Sequence, residues 1–146
     1  MQKSIKTIFL ILIILAFNFV ACTEETIDTE KPVIEVSSPT DHQHFHPGDI
    51  IHFDAEFSDN IELGQFKIDI HFGDGHDHKS TAMEADGVEW DFEYIGELSG
   101  RNKHIHLDIP IPNNAKHGEY HFMVYCTDKA GNESWVALEI EIEDDH

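Results

Sequence analysis

Basic residues are scarce: nine Lys and Arg stand against 29 Asp and Glu, a formal net charge of −20. A phosphate-binding surface needs clustered Lys and Arg, so this balance argues against a nucleic-acid partner. Cysteine is scarcer still. Two residues, Cys22 and Cys126, cannot build a disulfide framework. No stretch carries a convincing helical period. GxSxG, P-loop and HExxH motifs are absent, and no nucleophile is paired with a base, so the expectation is a protein that is not an enzyme. What is present is apolar and imidazole-rich. Hydrophobic residues make up 40% of 146 positions, with ten Phe, enough to bury the core of one domain. The twelve His outnumber all Lys and Arg together.

The N-terminus reads as a targeting segment. Lys3 and Lys6 precede an unbroken apolar run, 8–17, which is short for a membrane span and suited to a signal-peptide core. The run leads to Phe19-Val20-Ala21-Cys22, which resembles a bacterial lipobox. There the Cys is acylated and becomes the first mature residue. The alternative is ordinary cleavage near Ala21. The expected division is a lipoprotein signal peptide at 1–21, a lipidated Cys22 with an acidic tether at 22–31, and one β-domain at 32–146. Removal of Lys3 and Lys6 takes the net charge from −20 to −22. Thr23-Glu24-Glu25 resembles the acidic signal by which Bacteroidota-type lipoproteins reach the cell surface. That resemblance implies an outer-membrane location, with the membrane engaged through the lipid.

From Lys31 the dominant period is two. Seven segments, 32–38, 49–57, 65–72, 88–95, 103–111, 119–127 and 134–143, alternate apolar and polar residues between Gly, Pro, Asn and Asp breaks. Seven half-buried strands in this length predict an all-β, immunoglobulin-like Greek-key sandwich. Gly118-Glu119-Tyr120-His121-Phe122 opens the sixth segment as a tyrosine corner does. Phe122 stands where antibody domains place a Cys, so no inter-sheet disulfide is expected, and Cys126 reads as a small buried hydrophobe. The fourth segment is expected in the sheet of the second and fifth, which would bring Asp91 beside His52 and Asp54.

The Lys31-Pro32 start, the Asp128-Lys129-Ala130-Gly131-Asn132 hairpin and the lipobox together resemble bacterial Ig-like surface lipoproteins. The GDGHDH (73–78) and HIHLDIPIP (104–112) segments further resemble a Bacteroidota lipoprotein family whose domain has no assigned function. The resemblance implies fold and location and brings no established activity.

Strand directions place most imidazoles near one end of the sandwich, the apex, away from the tether. His42, His44 and His46 lie in the first connection. Asp74, His76, Asp77 and His78 lie in the third, and His117 in the fifth. His71 and His121 are expected to face each other across two strands. His104 and His106 share one strand face and form a lower, separate pair. Neutral imidazoles joined by carboxylates suit Zn²⁺, Cu²⁺ or Ni²⁺; Cu⁺ would want Met or Cys clusters, and Met83 and Met123 are isolated. The expected function is therefore capture of a divalent transition metal, with Zn or Cu as the ion and a partner protein in the outer membrane as a candidate recipient. The alternatives are a plain Ig-like module with a polar surface, or an adhesion or glycan-contact module using outward Trp135, Tyr125 and Met123. At the base, Asp59 and Asn60 in one turn and Asp128 and Asn132 in another offer oxygens to Ca²⁺. Neither has EF-hand spacing, and Asp and Asn suit turns, so the turn reading is preferred.

Overall fold

The computed structural model describes residues 27–73 and 87–143. Eight strands follow one another: β1 (Val33–Ser38), β2 (Gln43–Phe45), β3 (Ile50–Ser58), β4 (Leu63–Phe72), β5 (Phe92–Glu97), β6 (Asn102–Pro110), β7 (Gly118–Asp128) and β8 (Glu133–Ile142). The described residues contain no helix. Alternation along each strand gives one buried and one solvated face. In β3, Ile51, Phe53, Ala55 and Phe57 are fully buried while His52 and Glu56 are exposed. In β7, Tyr120, Phe122, Val124 and Cys126 are fully buried.

The strands form two sheets, β1-β3-β6 and β2-β8-β7-β4-β5. The inward rows of both close on one core, where Phe53 stacks on Phe122 with ring centroids 5.9 Å apart. Each fully buried Phe or Ile contributes about 1.5–3 kcal/mol relative to exposure. This is an immunoglobulin-like sandwich, as the period of two implied. The tyrosine corner is present: Tyr120 is fully buried and its hydroxyl donates to the Lys116 carbonyl at 2.8 Å. Cys126 is a buried free thiol, and burial pushes it up to about 12, with the charges of Asp59 and Asp128 adding to the effect. The hairpin from β7 to β8 turns through Gly131 at φ +94°, a conformation that favours glycine.

Two features depart from expectation. A short extra strand, β2, lies in the first connection and pairs in parallel with β8. The fourth expected strand belongs to the other sheet. It begins at Phe92, ends at Glu97, and pairs with β4 through Ile70↔Phe92, Ile68↔Tyr94 and Phe66↔Gly96. A period of two is the same in either sheet, so alternation does not distinguish them. Packing does. The Phe66 ring lies over Gly96, where any Cβ would overlap it, and Tyr94 packs against Phe66 at 5.7 Å. Val88–Asp91 is not strand. Val88 bridges to Ala115, and Trp90 is buried against Tyr120 and Phe92. Asp91 therefore does not join His52 and Asp54, and among the described strands β6 is an edge of the three-stranded sheet.

Candidate metal sites on two sheet faces

The outer face of β3 and β6 carries a ladder set by register. Three successive directly opposed pairs each match an imidazole with a carboxylate: His52 with Asp108, Asp54 with His106, and Glu56 with His104. Opposite-charge pairs at such positions stabilise a sheet when the imidazole is protonated. His52 Nδ1 lies 2.6 Å from Asp108 Oδ1, and His104 Nε2 lies 3.0 Å from Asp54 Oδ1. His106 bridges the two steps, with Nδ1 3.6 Å from Asp54 Oδ2 and Nε2 3.5 Å from Asp108 Oδ1. The hydrogen bond from His104 holds the Asp54 carboxyl below the ordinary carboxylate range; desolvation opposes this, and the charges of His104 and His106 reinforce it.

Within the ladder, His52, His106 and Asp108 each offer one ligand atom, all within 4.8 Å of one another. The rings of His52 and His106 are nearly parallel, with centroids 6.3 Å apart. A tetrahedral ion with ligand distances near 2.0–2.1 Å separates its donors by roughly 3.3 Å. The His106–Asp108 separation already fits. The His52–Asp108 contact is at hydrogen-bond distance and must open by less than about 1 Å to admit an ion. All three side chains are more than half exposed, so the adjustment meets little packing resistance.

The outer face of the five-stranded sheet carries the second group. His71 and His121 are directly opposed across β4 and β7, as expected, and their rings meet edge to face at 5.3 Å. His71 Nδ1 lies 2.9 Å from Asp69. Burial raises the Asp69 carboxyl, but its hydrogen bonds with His71 and Lys67 outweigh this and leave it below the ordinary range. His121 lies with Glu119 and Glu139 in a second candidate triad. Glu139 also faces His42, whose Nδ1 is 3.4 Å away; the other nitrogen of His42 is 3.6 Å from Asp41. A third triad joins His44 to Glu143 at 2.7 Å and Glu141 at 3.6 Å. His46 pairs with Asp49 at 3.6 Å.

Among the described residues, His52, His104 and His106 lie on the outer face of the three-stranded sheet and His44, His71 and His121 on that of the five-stranded sheet, while His42 and His46 flank β2. His117 lies in the connection between β6 and β7 and joins none of these triads. Asp74, His76, Asp77 and His78 lie outside the described residues, as do Cys22, the signal segment and the first part of the tether. The triad partners missed in the sequence are the carboxylates Asp108, Glu119, Glu139, Glu141 and Glu143. Outward parity marks Asp108, Glu139 and Glu141, but their pairing with particular imidazoles needs the register.

At the base, Asp28, Asp59 and Asp128 form a fourth group, with one oxygen from each within 4.8 Å of the others. Asp128 is 5% exposed. Burial raises its carboxyl, but hydrogen bonds from the Asn132 side chain and from the backbone of Asn132, Gly131 and Ala130 prevail and hold it low.

The family model for DUF4625, a domain of unknown function, matches residues 20–143. The chain belongs to this family. Membership agrees with the resemblance seen in the His-bearing segments and carries no activity with it. No curated protein matches the chain. Among solved structures, a catalytically inactive OgpA from Akkermansia muciniphila, in complex with an O-glycopeptide, is similar at 11% identity and a TM-score of 0.52. The match covers 83% of this chain and 32% of that one. Spo0M from Bacillus subtilis, a sporulation control protein, matches at 8% identity and a TM-score of 0.47, over 79% of this chain and 49% of the other. The DUF4625 chain therefore spans about a third and about half of these two structures. The OgpA likeness bears on the β-rich fold alone.

Proposed function

We propose that this DUF4625 protein is an outer-membrane lipoprotein, anchored through Cys22 and exposed at the cell surface, whose sheet faces bind a divalent transition metal, Zn²⁺ or Cu²⁺. The observation that carries the reading is the β3–β6 register, which matches His with carboxylate at three consecutive steps. Single surface imidazoles are common, but three matched steps on one face place nitrogen and oxygen donors repeatedly at chelating separation. His52, His106 and Asp108 would hold the ion, with water completing the shell. His44 with Glu141 and Glu143, and His121 with Glu119 and Glu139, would be weaker sites because carboxylates dominate them. The Asp74–His78 segment and His117 remain candidate ligands from sequence. A strongly negative surface concentrates cations around all of them. An outer-membrane partner would take the captured ion onward. Full-length, tag-free protein exposed to mixed divalent ions and then desalted should retain roughly one Zn or Cu per chain. Retention of neither overturns the reading.

A second reading rests on an aromatic pair. Trp135 is 61% exposed and directly opposes Tyr125 across β8 and β7. Beside them Lys67, Ile95, Tyr125 and Glu133 line a groove of about 260 Å³. A flat aromatic surface suits a sugar ring or a protein partner. Metal-free protein that binds a glycan or partner, and loses it in Trp135→Ala, would favour adhesion.

A further inference from the structure

Three carboxylates meet at the base of the sandwich, and they come from distant parts of the chain. Asp28 lies in the tether, Asp59 in the turn from β3 to β4, and Asp128 at the end of β7. Asp128 is the one buried charged residue among those described. The lysine ion pairs of the described residues go elsewhere, Lys67 to Asp69 and Glu93, and Lys116 to Glu89. Like charges this close and partly desolvated repel unless something compensates them.

A second observation points to what compensates. Asp59 Oδ2 accepts the backbone N–H groups of Ile61 and Glu62, at 2.8 and 2.7 Å, which fixes the carboxylate. Its Oδ1 is buried and has no hydrogen-bond partner among the described residues. A buried carboxylate oxygen without a donor is costly, and each such atom calls for an explanation such as an ion. The tether is held at the same place. Asn132 Nδ2 donates to the Asp28 carbonyl at 3.2 Å and to Asp128 Oδ2 at 2.7 Å, and Asn60 Nδ2 donates to Asp28 Oδ1 at 3.1 Å. The two amides thus tie Asp28 to Asp128 and to the turn that carries Asp59, and none of the described imidazoles joins the group.

We infer that Asp28, Asp59 and Asp128 form a Ca²⁺ site that fastens the tether to the base of the domain. All donors are oxygens, which selects a hard cation over Zn²⁺ or Cu²⁺. Carboxylates from a tether, a turn and a strand end form an irregular, adjustable shell. Ca²⁺ accepts such a shell at 2.3–2.6 Å with six to eight oxygens, whereas Mg²⁺ demands a near-octahedral one and keeps its waters. The site is independent of the imidazole faces, so its fate and theirs can be separated.

The test is calorimetric titration of Ca²⁺ into chelator-stripped full-length protein in detergent, with thermal melting alongside. Wild type should bind with Kd in the range of extracellular Ca²⁺ modules, about 10⁻⁴–10⁻³ M, and melt at higher temperature with Ca²⁺ than with equal Mg²⁺. Asp59→Asn and Asp28→Ala should each weaken binding about ten-fold or more. Asp28 precedes every strand, so Asp28→Ala decides the matter should Asp59→Asn fail to fold. His52→Ala with His106→Ala should leave the Ca²⁺ isotherm unchanged. Wild type showing neither heat nor a melting shift at about 10 mM Ca²⁺ overturns the proposal, as does Asp28→Ala titrating like wild type.

Discussion

Phe122→Ala removes a phenyl ring from the middle of the inter-sheet core. Phe122 is fully buried on β7, a strand flanked on both sides by β4 and β8, and its ring stacks on Phe53 at 5.9 Å and 29°. The neighbouring strands are fixed by their ladders, so the sheets cannot close over the void. The cost is the lost transfer energy of the ring plus a cavity term, together about 3–5 kcal/mol. Against a total stability of about 5–15 kcal/mol this is a large share. For a domain of this size it corresponds to a melting point lower by about 10–25 °C. Urea denaturation followed by Trp fluorescence and circular dichroism measures it directly. Phe53→Ala should cost a similar amount. The double variant should cost about 0.5–1.5 kcal/mol less than the two losses together, because the rings share one contact. Trp135→Ala, at a side chain 61% exposed, should stay within about 0.5 kcal/mol of wild type. A Phe122→Ala loss no larger than that of Trp135→Ala would refute the two-sheet core.

Three further outcomes follow from the same geometry. Tyr120→Phe deletes the hydroxyl that donates to the Lys116 carbonyl and should cost about 1–3 kcal/mol by denaturant melt, with the fold retained. The Lys67–Asp69 pair, at 3.0 Å, should contribute up to about 1 kcal/mol after solvent screening. Asp69 is lowered from 3.8, so its share is present above that value and is lost as pH falls through the lowered folded value. Lys67 is raised from 10.5, so its share is present below that value and is lost as pH rises through the raised folded value. Asp69→Asn should therefore flatten the acid limb of the stability–pH curve, read by urea melts. Cys22→Ser should abolish fatty-acid labelling and move the protein out of the detergent phase; labelling that persists would remove the proposed anchor.

Much of the sandwich was legible because β3, β4, β7 and β8 alternate cleanly, and alternation reports a two-faced strand directly. Tyr120 and Phe122 could be placed from the Gly118 start of β7, since a corner hydroxyl needs a backbone acceptor just upstream. The sheet membership of β5 was not legible. It depends on a ring-over-glycine contact between Phe66 and Gly96, which leaves no mark on the period. The site was half legible for a similar reason. Parity put His52, His104 and His106 outward, but the assignment of Asp108 to His52 depends on the offset between two strands, which parity leaves free. The His71–His121 pair was legible because one residue ends β4 and the other begins the neighbouring β7, whereas the triads around Glu139 and Glu143 depend on the offset of β8. Asp28 was hidden by distance: nothing local ties a tether residue to the end of β7.

The β3–β6 ladder is proposed to hold a transition metal. Calorimetric titration of Zn²⁺ into full-length protein, compared with His52→Ala/His106→Ala and with His76→Ala/His78→Ala, decides whether it does. Wild type should bind at about micromolar Kd or tighter, and the ladder variant should lose at least about ten-fold in affinity. A ladder variant that titrates like wild type, or wild-type binding only near millimolar, would contradict it.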